Sequence, residues 1–156
     1  MAGAIRDGVE EDIAWRERLI DAVGDRATIL NPLAGNTYSG LTRRWSKSGL
    51  DITPAMIVAQ DFWHVDRADL IVFNFSALDD RYPNIGTLVE FGRATAMGCL
   101  IYSILPAGFA GGKAMFSLHP FLARNSALVF PDADDCIAFV ARHVDALSGR
   151  APRYRP

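Results

Sequence analysis

A chain of 156 residues, half of them hydrophobic and 22% charged, is sized for one domain with a fully buried core. Sixteen Lys and Arg against eighteen Asp and Glu leave a net charge of −2, which gives no electrostatic basis for holding nucleic acid or an anionic membrane surface. No apolar run reaches the roughly 18 residues of a membrane span, and the N-terminus lacks the basic and apolar regions of a signal peptide, so no membrane partner and a cytoplasmic location are expected.

Met1-Ala2-Gly3-Ala4-Ile5 leaves room for a strand of only two or three residues. Glu10 to Val23 reads as a helix with Ile13, Leu19, Ile20 and Val23 on one side and Gly24 as its stop. Trp15 and Arg16 pack that helix against a sheet in this reading. Ala27 to Leu30 is expected to be a short strand ended by Asn31-Pro32. Residues 33–53, with Gly35, Gly40, Gly49 and several Ser, read as a long loop of the kind that is functional or mobile. Thr53-Pro54 predicts an N-cap followed by proline at the first helical position, opening a helix to Arg67. Met56, Ile57, Gln60, Asp61 and His64 share one side of it at 3.6 periodicity.

Leu70 to Phe75 is continuously apolar, as a central parallel strand covered on both faces should be. A helix opening with Gly86-Thr87 and ending at Gly98 follows. Cys99 to Leu105 is the next apolar strand, Pro106 to Lys113 a Gly-rich loop, Ala127 to Phe130 a last strand and Ala133 to Leu147 a last helix. In that helix Ile137, Val140, Ala141, Val144 and Leu147 face inward. Residues 1–148 form the domain, and 149–156 a basic, Pro-rich tail. Cys99 and Cys136 lie in apolar periodic segments and read as buried, reduced thiols. The three His are scattered without metal-ligand spacing, so neither metal nor cofactor is expected.

Strands alternating with helices predict a single-domain α/β fold: a doubly wound, mainly parallel sheet of five strands, flavodoxin-like or Rossmann-like, with helices on both faces. Ligands bind such sheets beyond the carboxyl ends of the strands. Chemistry-bearing residues concentrate there, and Glu90 stands out among them. Thr87-Leu88-Val89-Glu90 fits a capping box, in which Thr and Glu satisfy each other's backbone donors. A helix N-terminus also favours an ionised carboxylate, which is what a nucleophile requires. Asp61 lies beside Ile57 and His64 near an apolar face, where an isolated carboxylate is costly. It is either paired with an Arg such as Arg67 or Arg93, or part of a site. Asp69 caps the start of its strand, at the end of the sheet away from chemistry.

Trp15-Arg16, Ile29-Leu30-Asn31-Pro32, Ile57-Val58 with Asp61, Ala68-Asp69, Asn74, Gly86-Thr87-x-x-Glu90-x-Gly92-x-Ala94 and His119-Pro120 occur in one order over about residues 2–140. Together they resemble the nucleoside 2-deoxyribosyltransferase family, which includes related nucleotide N-glycosidases. The resemblance implies that Glu90 attacks the anomeric carbon of a deoxynucleoside, forming a glycosyl ester and releasing the base. Asp61 then matches the helix Asp that contacts the leaving base and aids its protonation. Gly3, Ile5, Asn74, Asn84, Gly86 and Thr87 become substrate-binding positions, and the partners are a nucleoside or nucleotide and a nucleobase. A homo-oligomer whose neighbours complete the site is implied as well.

The chain departs from that pattern in three places. The aromatic residue, often Tyr, that precedes the first Gly is missing, and Tyr38, Trp45 or Tyr82 are candidates to replace it. Asn84 stands six residues before Glu90, where the transferases often carry an acid. Arg43 and Arg44, with Ser46 and Lys47, provide donors for a 5'-phosphate, unless this is simply a solvated polar loop. Base exchange between deoxynucleosides is the favoured expectation, and hydrolysis of (deoxy)nucleoside 5'-monophosphates to base and sugar phosphate is the second. A non-catalytic nucleotide-sensing module on the same fold is a third.

Overall fold

The computed structural model describes residues 1–3, Ile5, 10–34, 36–39, 44–47, 50–77, 84–105 and 120–148, with the backbone alone for 36–39, 44–47, 50, 51, 145, 147 and 148. Strand β1 (Ala2–Gly3) pairs in parallel with β5 (Leu70–Asn74), β5 with β6 (Leu100–Ile104), and β6 with β7 (Leu128–Phe130). Helices α1 (Glu11–Val23) and α5 (Ala133–Ser148) cover one face; α2 (Pro54–Arg67), α3 (Ile85–Ala96) and α4 (Pro120–Asn125) cover the other. The fold is α/β around a parallel sheet, consistent with the Rossmann-like class.

Strand periodicity explains the two faces. Ile71, Phe73 and Ile101 point towards α2, α3 and α4, where they meet Val65, Phe91, Ala94 and Leu122. Phe73 and Phe91 pack edge to face at 5.2 Å between ring centroids. Val72, Tyr102 and Ile104 point the other way, onto Trp15, Leu19 and Val23 of α1 and Cys136, Ile137, Val140 and Val144 of α5. Burial raises the Cys136 thiol to about 12, which leaves it an unreactive core group. Cys99, expected to be buried, is half-buried, and its Sγ donates to Ala68 O at 3.4 Å.

Among the described residues the sheet has four strands rather than five. The Ala27 to Leu30 segment starts extended, with Ala27 at φ −151° and ψ 153°, and packs Ala27 and Ile29 onto the α1–α5 side of the core. It joins no ladder of the described sheet, and its apolar residues are met by packing alone. A second difference lies between residues 33 and 53, expected to be a loop. Strands β2 (Asn36–Ser39), β3 (Arg44–Lys47) and β4 (Leu50–Ile52) form an antiparallel meander there. Tyr38, Trp45 and Ile52 fall in register across it. Two short runs containing an aromatic, bounded by Gly and Ser, fit a hairpin better than an open loop.

Helix α2 follows the Thr53-Pro54 signal: the Thr53 hydroxyl accepts from Met56 N at 3.3 Å, with proline in the first turn. In helix α1 Trp15 and Arg16, each 1% exposed, pack inward with Leu19 and Val23 as expected, whereas Ile13, expected on the same side, is 40% exposed. Helix α4 was not anticipated, and its Leu122 fills the core next to Ile101 and Leu105. Helix α3 begins one residue earlier than Gly86-Thr87 suggests, with Asn84 as its N-cap in a left-handed conformation, φ 45°. No helix among the described residues is long and apolar enough to cross a membrane.

Candidate active site

The connections leaving β1 and β5 run to opposite faces: α1 lies on one, α3 on the other. Neighbouring parallel strands whose helices diverge in this way leave a crevice at their carboxyl ends, the switch point of an open α/β sheet. Gly3 ends β1 and Asn74 ends β5, in register. A Cβ on Gly3 would lie 3.0 Å from Asn74 O and 3.2 Å from Asn74 Cβ, so only glycine allows this closeness of the two strands. Asn74 is buried, and its Oδ1 accepts from Ser76 N at 2.9 Å and from Ser76 Oγ at 2.5 Å. That turn sends the chain out of β5.

Glu90 and Asp61 meet above this point. Because α3 starts at Ile85, Thr87 is its third residue and no longer a cap, so the capping box does not form. Glu90 lies in the second turn, and its carboxyl is hydrogen-bonded to that of Asp61 on α2. Glu90 is pushed up to about 7, first by burial and then by the Asp61 charge, with the amino group of Met1 and Arg16 opposing. Burial also raises Asp61, while the bond from Glu90 and the Met1 amine hold it down. Two buried carboxyls this close do not both ionise readily, so the pair as a whole favours holding one proton. This corrects the expectation that the helix terminus keeps Glu90 ionised: the group stands too deep in α3 for that, beside a second acid.

Neither Arg expected for Asp61 is its partner. Arg93 forms a two-pronged ion pair with Asp66, with both bonds at 2.7 Å, and the Arg67 guanidinium lies 4.2 Å from the Trp63 ring centroid. Trp63 is 47% exposed under that cation, whereas Phe73 and Phe75 are fully buried. The Asp66–Arg93 pair ties α2 to α3, the two helices that bring Asp61 and Glu90 together.

The other expected site residues divide. Thr87 is buried in the first turn of α3. Asn84 keeps a buried Nδ2 with no hydrogen-bond partner, and Gly86 faces open space, with nothing within 4 Å of a Cβ placed there. Ile5 is half-buried and outside any element. Arg43, Tyr82 and His119 lie outside the described residues, as do the side chains of Tyr38, Arg44, Trp45, Ser46 and Lys47. Among the described residues no group of three or more His, Cys, Asp and Glu is arranged to hold a metal ion.

Arg16 is the site residue to which sequence reasoning gave too little weight. Its helical position marks it only as inward-facing, and the crevice beside it becomes visible only once β1 and β5 pair. Fold and site together define an α/β protein of the Rossmann-like class carrying two proton-sharing carboxyls at its switch point. No protein-family model matches the chain, and a comparison with curated proteins finds no match.

Proposed function

We propose that this protein cleaves and re-forms the N-glycosidic bond of a (deoxy)nucleoside through a covalent glycosyl ester on Glu90. The observation that carries the reading is the hydrogen-bonded pair of Glu90 and Asp61 at the mouth of the β1–β5 crevice. A raised carboxyl next to a second carboxylate is the arrangement that separates an acid role from a nucleophile role.

The proton that Glu90 holds at rest passes to Asp61, which leaves Glu90 anionic and Asp61 neutral. A Glu90 oxygen then attacks the anomeric carbon as the carbon–nitrogen bond breaks. The bonding electrons leave with the base nitrogen, which takes the proton from Asp61. The developing positive charge on the sugar is stabilised by the anion that captures it. A second base attacks the anomeric carbon from the face the first one left, giving up its proton to Asp61 as the bond to Glu90 breaks and releases the carboxylate, and two inversions give net retention. Water in place of the second base would make the same site a hydrolase. The resemblance extends the proposal to self-association, which would cover the exposed apolar groups Trp63 of α2 and Ile85 and Val89 of α3.

The test is to incubate the protein with each deoxynucleoside and each nucleoside 5'-monophosphate, with and without a second free base. Base exchange supports the transfer reading. Free base released only from a monophosphate favours the nucleotide N-glycosidase. Binding without turnover of any substrate contradicts enzymatic chemistry and supports a sensor.

A further inference from the structure

Arg93 stands on α3 one turn after Glu90, and its guanidinium reaches α2 at two points. Nε donates to Asp66 Oδ1 and Nη2 to Asp66 Oδ2, both at 2.7 Å, so two parallel bonds hold the carboxylate. Cζ also lies 4.4 Å from the centroid of the Phe62 ring, a cation–π contact one turn before Asp66. Phe62 is the residue next to Asp61. One arginine therefore grips α2 beside one carboxyl of the site, from a position one turn past the other. Nearer the sheet, Val65 of α2 shares the core with Phe91 and Ala94 of α3. Apolar packing is non-directional and lets helices slide, whereas a forked ion pair fixes register. The Arg93 and Asp66 side chains are 37% and 31% exposed, too open for the pair to add much stability by itself.

We propose that Arg93 is a positioning residue for the glycosyl chemistry: its two-pronged bond to Asp66 and its contact with Phe62 set the register of α3 on α2 that places Glu90 opposite Asp61. This rests on the reading of Glu90 and Asp61 as the reacting pair. Neither Arg93 nor Asp66 touches substrate in this account. Without the clasp the helices keep their core contacts, but the two carboxyls draw apart and Asp61 loses its reach to the Glu90 proton. The charged groups acting on Glu90 are Asp61 from α2, the Met1 amine from β1 and Arg16 from α1, and neither Arg93 nor Asp66 is among them. The clasp therefore acts through distance and not through its own charge.

The experiment follows the Glu90 carboxyl by carbon-13 NMR titration in the full chain without substrate, for the wild type, R93Q, D66N and the double variant. The resonance is assigned by its loss in E90Q. R93Q removes a cation and D66N an anion, so a direct effect of charge would move Glu90 up in the first and down in the second. Loss of the clasp moves both the same way. The Glu90 midpoint should fall by about half a pH unit or more in each single variant, and no further in the double one. Shifts of opposite sign, unchanged midpoints, or additive shifts in the double variant would overturn the proposal. So would collapse of the fold in both single variants, since the pair would then be serving the scaffold. Turnover read alongside keeps two failures apart. In R93Q and D66N kcat should drop about tenfold or more, with KM for the nucleoside little changed. Midpoints that fall together in a protein inert towards nucleosides would uphold the clasp and refute the glycosyl reading. An active protein whose midpoint and kcat ignore both substitutions would refute the role of Arg93.

Discussion

Glu90→Gln should stabilise the protein while silencing it. Gln keeps the volume and an N–H that can donate to Asp61 where the carboxyl proton did, but it has no proton to lose. In the native protein Glu90 holds its proton up to about pH 7, against an ordinary 4.5. Between those values the folded chain binds more protons than the unfolded one. Stability therefore falls as pH rises from 4.5 through 7, and the full cost is present above 7. At about 1.4 kcal/mol per pH unit that gap gives a ceiling of about 3 kcal/mol, and the residual solvent contact of Glu90 lowers the expectation to about 2 kcal/mol. Urea denaturation of the wild type and E90Q across pH 4 to 8 measures it. The two should be close at pH 4, and E90Q should be ahead by about 2 kcal/mol at pH 8. Parallel curves, or a wild type that gains on E90Q as pH rises, would refute the shared-proton account.

Two further outcomes follow from the same geometry. Asp61→Asn removes the acid that receives the Glu90 proton, so cleavage should slow most for bases that leave poorly without protonation; equal slowing across a series of bases would contradict the relay. Gly3→Ala forces a Cβ to within 3.0 Å of Asn74 O, which must move β1 away from β5 and with it the Gly3 carbonyl that accepts from Arg16 Nη2. A loss of about 1–3 kcal/mol in urea, with loss of turnover, is expected from that overpacking; an active G3A of wild-type stability would contradict the close strand approach.

Much of this architecture can be read in the residues because periodicity and capping act locally. Thr53-Pro54 marks the start of α2, and the unbroken apolar runs at Leu70 to Phe75 and Cys99 to Leu105 mark the central strands. Glu90 and Asp61 were legible as a pair only through the resemblance, since helical spacing cannot say that α2 and α3 lie side by side. What escaped depended on tertiary contact. Ala27 to Leu30 has strand chemistry but no ladder partner. Residues 36–39, 44–47 and 50–52 lie in a stretch with the Gly and Ser of a loop but pair as antiparallel strands. The Thr-x-x-Glu pattern at Thr87 imitates a cap, although the helix has already started at Ile85.

The most direct measurement is intact-mass analysis of the protein quenched in acid during turnover of a deoxynucleoside with no acceptor base present, followed by peptide mapping. The account predicts a 2-deoxyribosyl adduct on the peptide bearing Glu90, absent from E90Q and discharged when a free base is added. Turnover with no adduct on that peptide, or an adduct carried by another residue, would contradict it.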